Sequence, residues 1–184
     1  MKRRDLGIAV IGAGRIGTLR ARLAAKHPAV RFLAIADRDP ARAEALAATA
    51  GADFHAGDND AVIAHPDVTA VIVSTPEQEH VAPVVAALAR GLPVLVEKPL
   101  ALTLAGADEI LGSLRAHDGD LRVGYSRRYK ECFLRAKEQM LHHRLGKVVG
   151  GTARVYNSRA QASRSSSAIR MPRRCSTCSP TMST

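Results

Sequence analysis

Short apolar runs alternate with stripes of helical spacing along most of this chain. Gly7–Ile11, Ala70–Ser74 and Val94–Val96 are continuous and mostly aliphatic, Val30–Ala36 and Leu121–Tyr125 are apolar around a single arginine, and Asp53–Phe54–His55 can form a short strand. Runs of this length bounded by turn residues predict strands. Between them, Leu19, Leu23 and Ala24 start one helical stripe, and Ala41 to Ala50 forms an alanine-rich helix that Gly51 closes as a C-cap. Asp58 or Asn59 caps a short helix through Ala64. Glu79 to Arg90 carries Val81, Val84, Val85 and Leu88 on one face before Gly91, and Thr103 caps a helix to about Ala116. Strands alternating with helices in this way predict an α/β fold with a doubly wound parallel sheet. Its central runs, Ala70–Ser74 and Val94–Val96, are expected to be buried on both faces. A further helix is predicted from Glu131 to about His143, ending near Gly146. Lys147 to Tyr156 then predicts a strand with no place left in the sheet, hence only the first strand of a second α/β domain.

Chemistry enters at the end of the first strand. Gly12–Ala13–Gly14–Arg15–Ile16–Gly17 joins strand to helix, the setting that a Rossmann-type dinucleotide-binding turn requires. Gly12 permits the tight turn, Gly14 lets backbone approach a pyrophosphate, and Gly17 lets the helix pack close to the sheet. The first-turn N–H groups then face the phosphates. Gly12, Gly14, Arg15, Ile16 and Gly17 are therefore candidate cofactor contacts. Asp37 closes the second strand twenty residues later, where a carboxylate accepts hydrogen bonds from a ribose 2′-OH and favours NAD over NADP. Arg38 keeps NADP open, because an arginine there can hold a 2′-phosphate. The plainer alternative is that Asp37 starts a turn and caps the next helix.

Ligands of such sheets bind outside the carboxyl ends of the strands. Those ends carry Ser74–Thr75–Pro76, Glu97–Lys98–Pro99 and Tyr125–Ser126–Arg127–Arg128, so most chemically capable residues fall on one rim. Alcohol oxidation needs a hydride acceptor and a group to manage the hydroxyl proton. A lysine serves as that base where burial and neighbouring positive charge favour its neutral form, and Lys98 is the candidate, with Arg127 and Arg128 on the same rim. The bland alternative for Glu97–Lys98 is a solvated strand end.

The net charge of +10 suggests nucleic acid, yet its distribution argues otherwise. Residues 1–158 hold 22 Lys or Arg against all 17 acids, and the last 26 residues hold five Arg and no acid. The body is mildly basic and only 3% aromatic, so no specific nucleic-acid reader is expected. No apolar run approaches a membrane span. The apolar stretch after Met1–Lys2–Arg3–Arg4 runs into the glycine turn rather than a cleavage site, which predicts a cytoplasmic protein. Cys132, Cys175 and Cys178 form neither a disulfide framework nor a metal site.

At "STPEQEHVAPVVAALARGLPVLVEKPLA" from Ser74, with "IADRDPARA" around Asp37 and "VGYSRRY" from Val123, the chain resembles the Gfo/Idh/MocA oxidoreductases over roughly residues 5–158. The resemblance implies an NAD(P)-dependent dehydrogenase that moves hydride between nicotinamide and a secondary alcohol of a sugar, cyclitol or related polyol. It implies Ser74, Thr75 and Pro76 beside the ribose and nicotinamide, with His80 on the helix behind them and Glu97 and Lys98 at the nicotinamide. Lys98 is then the catalytic-region lysine. Arg128 and Tyr129 take the place of the family's Arg-Phe, and Ser126 stands where many members have Asn. For His80, a helix-start histidine making local hydrogen bonds is an equal alternative. Family members form homo-oligomers through a larger second domain, which also brings a downstream Asp…His pair.

That continuation is not legible here. The domains read as 1–126, an NAD(P)-binding Rossmann domain; 127–158, a linker helix and the start of a truncated substrate domain; and 159–184, a disordered tail. Ten of the last 22 residues are Ser or Thr, with no periodicity. Codons can be chosen from Ser163 onward so that the frame two nucleotides later reads AILKRDPHATPVLDVLTYYVD, with acids and core residues, as an out-of-frame tail would. Three other readings compete: a truncated, catalytically inactive dinucleotide-binding protein; a methyltransferase, which shares the glycine turn; and a basic-tail nucleic-acid binder.

Overall fold

The computed structural model describes residues 5–147, 149–152 and 154. It divides into two compact units, Met1–Phe133 and Leu134–Thr184. The first unit is built on six parallel strands: β1 (Leu6–Ile11), β2 (Val30–Ala36), β3 (Phe54–Ala56), β4 (Ala70–Val73), β5 (Val94–Val96) and β6 (Leu121–Val123). Their order in the sheet is β3-β2-β1-β4-β5-β6, the doubly wound arrangement that reverses direction between β1 and β4.

The connecting helices are α1 (Arg15–Ala25), α2 (Pro40–Ala50), α3 (Asn59–Ile63), α4 (Val81–Ala89) and α5 (Leu104–Ala116). Local chemistry sets their ends. Asp39 caps α2 by accepting from the Ala41 amide, Asp58 caps α3, and Thr103 caps α5 through the Gly106 amide. Gly51, at φ +67°, closes α2 in the left-handed conformation. Helix α4 starts later than the apolar stripe predicts. Pro76 opens a 3₁₀ turn over Glu77–Glu79, so the α-helix begins only after His80.

Alternate strand residues feed two cores. Ala9, Ile11, Val71, Val73, Val94 and Val96 pack with Val84, Leu88 and Ile110 of α4 and α5. Ile8, Val10, Leu33 and Ile35 pack with α1 and α2 on the opposite face. The expectation that β4 and β5 are buried on both faces is corrected here: Ile72 and Leu95 are half-buried. Among the described residues α1 and α2 cover β1 and β2, while Ala70, Ile72, Pro93 and Leu95 line an open apolar hollow.

Helix α6 (Glu131–Leu141) follows a 3₁₀ turn at Ser126–Tyr129. Within the predicted strand over 147–156, residues 148, 153, 155 and 156 lie outside the described residues, and the described ones form no strand. The tail from 159, with Cys175 and Cys178, also lies outside them. Cys132 is exposed and free.

Candidate functional site

The glycine turn forms as its sequence requires. Gly12 sits at φ +99°, and a Cβ there would meet the Ser74 carbonyl oxygen at 2.7 Å. A Cβ on Gly17 would fall onto the carbonyl oxygen of Gly12, so α1 can start against the turn only without a side chain there. Gly14 differs: an added Cβ would find only Arg42 Nη2, at 3.8 Å. Gly14 is the N-cap of α1 and offers no side-chain cap, which leaves first-turn N–H groups facing outward.

Asp37 is 9% exposed at the end of β2. One carboxylate oxygen accepts from the Ala13 amide at 2.7 Å and the other from the Asp39 amide at 3.0 Å. The residue thus braces the glycine turn, and the cap of α2 is Asp39, not Asp37. A carboxylate offers about four acceptor positions, so Asp37 keeps capacity for a ligand hydroxyl. Arg38 pairs with Glu79 at 2.7 Å.

These groups share one cavity of about 430 Å³ at the β1/β4 reversal. It brings together Gly12, Gly14, Arg15, Ile16, Asp37, Arg38, Ser74, Thr75 and Pro76 from the expected set. Ser74 Oγ and Thr75 Oγ1 are buried on this rim with no partner among the described residues. Buried hydroxyls of this kind are ordinarily hydrogen-bonded, so the site fits a polar ligand. Gly17 lies behind the turn rather than in the lining. Arg42, Gly57, Asp58, Asn59 and Glu79 also line the cavity and were not anticipated. Gly57 to Asn59 were findable, since β3 has a carboxyl end like every other strand.

The remaining candidates lie elsewhere on the rim. Lys98 and Arg128 line a second cavity of about 330 Å³ with Gly124, Tyr125, Ser126 and Arg127. Lys98 is exposed, which corrects the expectation of a buried amine: it projects from the strand end to the rim rather than into either core. His80 is 1% exposed. Its Nδ1 lies 2.8 Å from the Pro99 carbonyl and its Nε2 3.2 Å from the Thr75 carbonyl, so a neutral ring can donate to only one of them. His80 therefore ties the β4 and β5 rim loops together from within.

Glu97 is held from the opposite face. Arg20 of α1 donates Nε to Glu97 Oε1 at 2.9 Å and Nη2 to the same oxygen, and a Cβ on Gly124 would lie 3.0 Å from Glu97 Oε2. Sequence reasoning missed Arg20, because 77 residues separate the partners. Both side chains are largely buried, at 22% and 15% exposure. Arg20→Ala is expected to cost about 1–3 kcal/mol by stranding a carboxylate. The paired change Arg20→Met with Glu97→Gln should cost less than Arg20→Ala, as denaturant titration of the variants would show.

Comparison with known proteins gives a consistent picture. Residues 6–125 match the Gfo/Idh/MocA model, described as an oxidoreductase family with an NAD-binding Rossmann fold. Inositol 2-dehydrogenase of Acidothermus cellulolyticus is 37% identical over 145 residues, 78% of this chain and 42% of that protein. The inositol 2-dehydrogenase of Ralstonia nicotianae is 39% identical over 140 residues, covering 74% and 41%. Among solved structures, myo-inositol 2-dehydrogenase from Lactobacillus plantarum superposes with a TM-score of 0.73 at 27% identity over 79% of this chain and 44% of its own. Scyllo-inositol dehydrogenase from Lactobacillus casei, solved with NAD(H) and scyllo-inositol, shares the fold at a TM-score of 0.72 and 24% identity, over 78% and 43%. The chain spans about two-fifths of the length of the curated relatives it matches.

Proposed function

The chain belongs to the Gfo/Idh/MocA oxidoreductases, with their NAD-binding Rossmann fold, and on that premise we propose that its rim is the cofactor half of a polyol dehydrogenase. The observation that carries this reading is the single cavity in which the open face of Gly14 meets the Asp37 carboxylate. In it, the first-turn N–H groups of α1 at Arg15 and Ile16 would hold the pyrophosphate, and Asp37 would accept from the adenosine ribose hydroxyls. Ser74 Oγ and Thr75 Oγ1 supply the polar lining toward the second ribose. A nicotinamide held there would supply the hydride acceptor for the carbon that bears the substrate hydroxyl. Lys98 Nζ would face the substrate hydroxyl and, as the neutral amine, take its proton to become the ammonium, with Arg128 beside it in the second cavity. His80 and Glu97 hold the Thr75 and Lys98 loops in place. A sugar or cyclitol substrate is in keeping with the inositol dehydrogenases among the relatives. A cytoplasmic location belongs to the same reading; among the described residues no helix is long and apolar enough to cross a membrane.

The exposure of Lys98 favours a second reading, in which these 184 residues bind dinucleotide without turnover. Two measurements separate the readings. NADH titration followed by nicotinamide fluorescence is expected to saturate, and its failure would sink both. Inositol-dependent NAD reduction, lowered roughly 10²–10⁴-fold by Lys98→Met with NADH affinity kept within about threefold, supports the dehydrogenase. Saturable NADH binding without any reduction supports the second reading.

A further inference from the structure

Arg38 follows the acid of β2, and its guanidinium is committed. Nη1 lies 2.7 Å from Glu79 Oε1, although the Arg38 side chain is 80% exposed. Glu79 comes from the far side of the crevice, in the 3₁₀ turn beyond β4, and β1 lies between β2 and β4 in the sheet. The ion pair therefore crosses the carboxyl end of β1 inside the cavity that holds Asp37. Guanidinium is the side chain best matched to a phosphate, which it meets with two parallel N–H groups. Here the arginine placed to take a 2′-phosphate faces a carboxylate instead. A phosphate dianion arriving at Arg38 must displace Glu79 and then lie close to both Glu79 and Asp37.

We propose that Glu79 is a cofactor-specificity residue, which by pairing with Arg38 turns the adenosine end of the cavity against NADP and toward NAD. The inference rests on the dinucleotide reading above. Exposed ion pairs are individually weak, so the pair does not bar Arg38 permanently. Its effect is to remove the net positive charge that would otherwise repay a 2′-phosphate for its lost hydration. The NAD ribose, which carries no charge at that position, is nearly indifferent to it.

The test is a binding cycle read by nicotinamide fluorescence, with NADH and NADPH as probes, on the unaltered chain, Glu79→Gln, Arg38→Ala and the double variant. Glu79→Gln is expected to tighten NADPH roughly tenfold while NADH stays within about twofold. The double variant should lose that gain, since the liberated group is Arg38. An unchanged NADPH-to-NADH ratio in Glu79→Gln overturns the proposal, as does a gain that survives removal of Arg38. Failure of the unaltered chain to bind either nucleotide overturns the underlying dinucleotide reading as well. Thermal melts confirm that each variant is folded, and Glu79→Ala stands in for Glu79→Gln if the amide variant is not.

Discussion

Gly17→Ala is expected to cost at least about 3 kcal/mol of stability and to abolish NADH binding. The added Cβ would fall onto the Gly12 carbonyl oxygen, which is backbone inside a tight turn and cannot rotate away as a side chain could. Either α1 moves off the sheet or the turn opens, and both break the packing of Ala21 against β1 and β2. Gly14→Ala provides the contrast. The position has φ −72° and open space around it, so the stability loss should stay near about 1 kcal/mol, the cost of alanine at an N-cap. NADH affinity should nevertheless fall more than about tenfold, because the methyl group occupies the cavity. Denaturant midpoints with NADH titrations on the two variants would separate a glycine needed by the fold from one needed by the ligand. Equal loss of stability in both would contradict the assignment.

Asp37→Ala is expected to lower NADH affinity by roughly 10- to 100-fold, the loss of a charge-assisted hydrogen bond. A second effect is structural. The Ala13 and Asp39 amides lose their acceptor together, at about 1–3 kcal/mol for each donor left buried. Asp37→Asn retains one acceptor oxygen and should fall between the extremes in stability while losing most of the affinity. Calorimetric titration on both variants checks this; a chain that binds NADH undiminished without the carboxylate would refute the role of Asp37 in holding the ribose.

The strands were legible because each apolar run is bounded by glycine, proline or an acid that cannot continue it. The caps at Asp58 and Thr103 and the closure at Gly51 were legible for the same local reason. What escaped was non-local or depended on a neighbour. An apolar run states that Ile72 and Leu95 suit burial, but not whether a helix covers them. The stripe from Glu79 gives no warning that Pro76 first winds a 3₁₀ turn, and that turn is what carries Glu79 across to Arg38. Arg20 reads as an ordinary solvated residue of α1 until Glu97 is found beneath it. At the site, the sequence pointed to the ends of β1, β2 and β4, but not to the end of β3 or to the groups that α2 and the 3₁₀ turn bring in. Arg42, in the first turn of α2, reaches the cavity only because that helix starts at the rim.

The sheet also works as a ruler. Asp37 closes β2 and Lys98 follows β5, three strand spacings away through β1 and β4. At roughly 4.8 Å per spacing, the two residues are staked out roughly 14 Å apart. The brace from Arg20 to Glu97 ties the far stake to the helix that begins at the glycine turn. A nucleoside monophosphate anchored at Asp37 would stop short of the lysine. An extended dinucleotide matches that gauge, which the strand order sets.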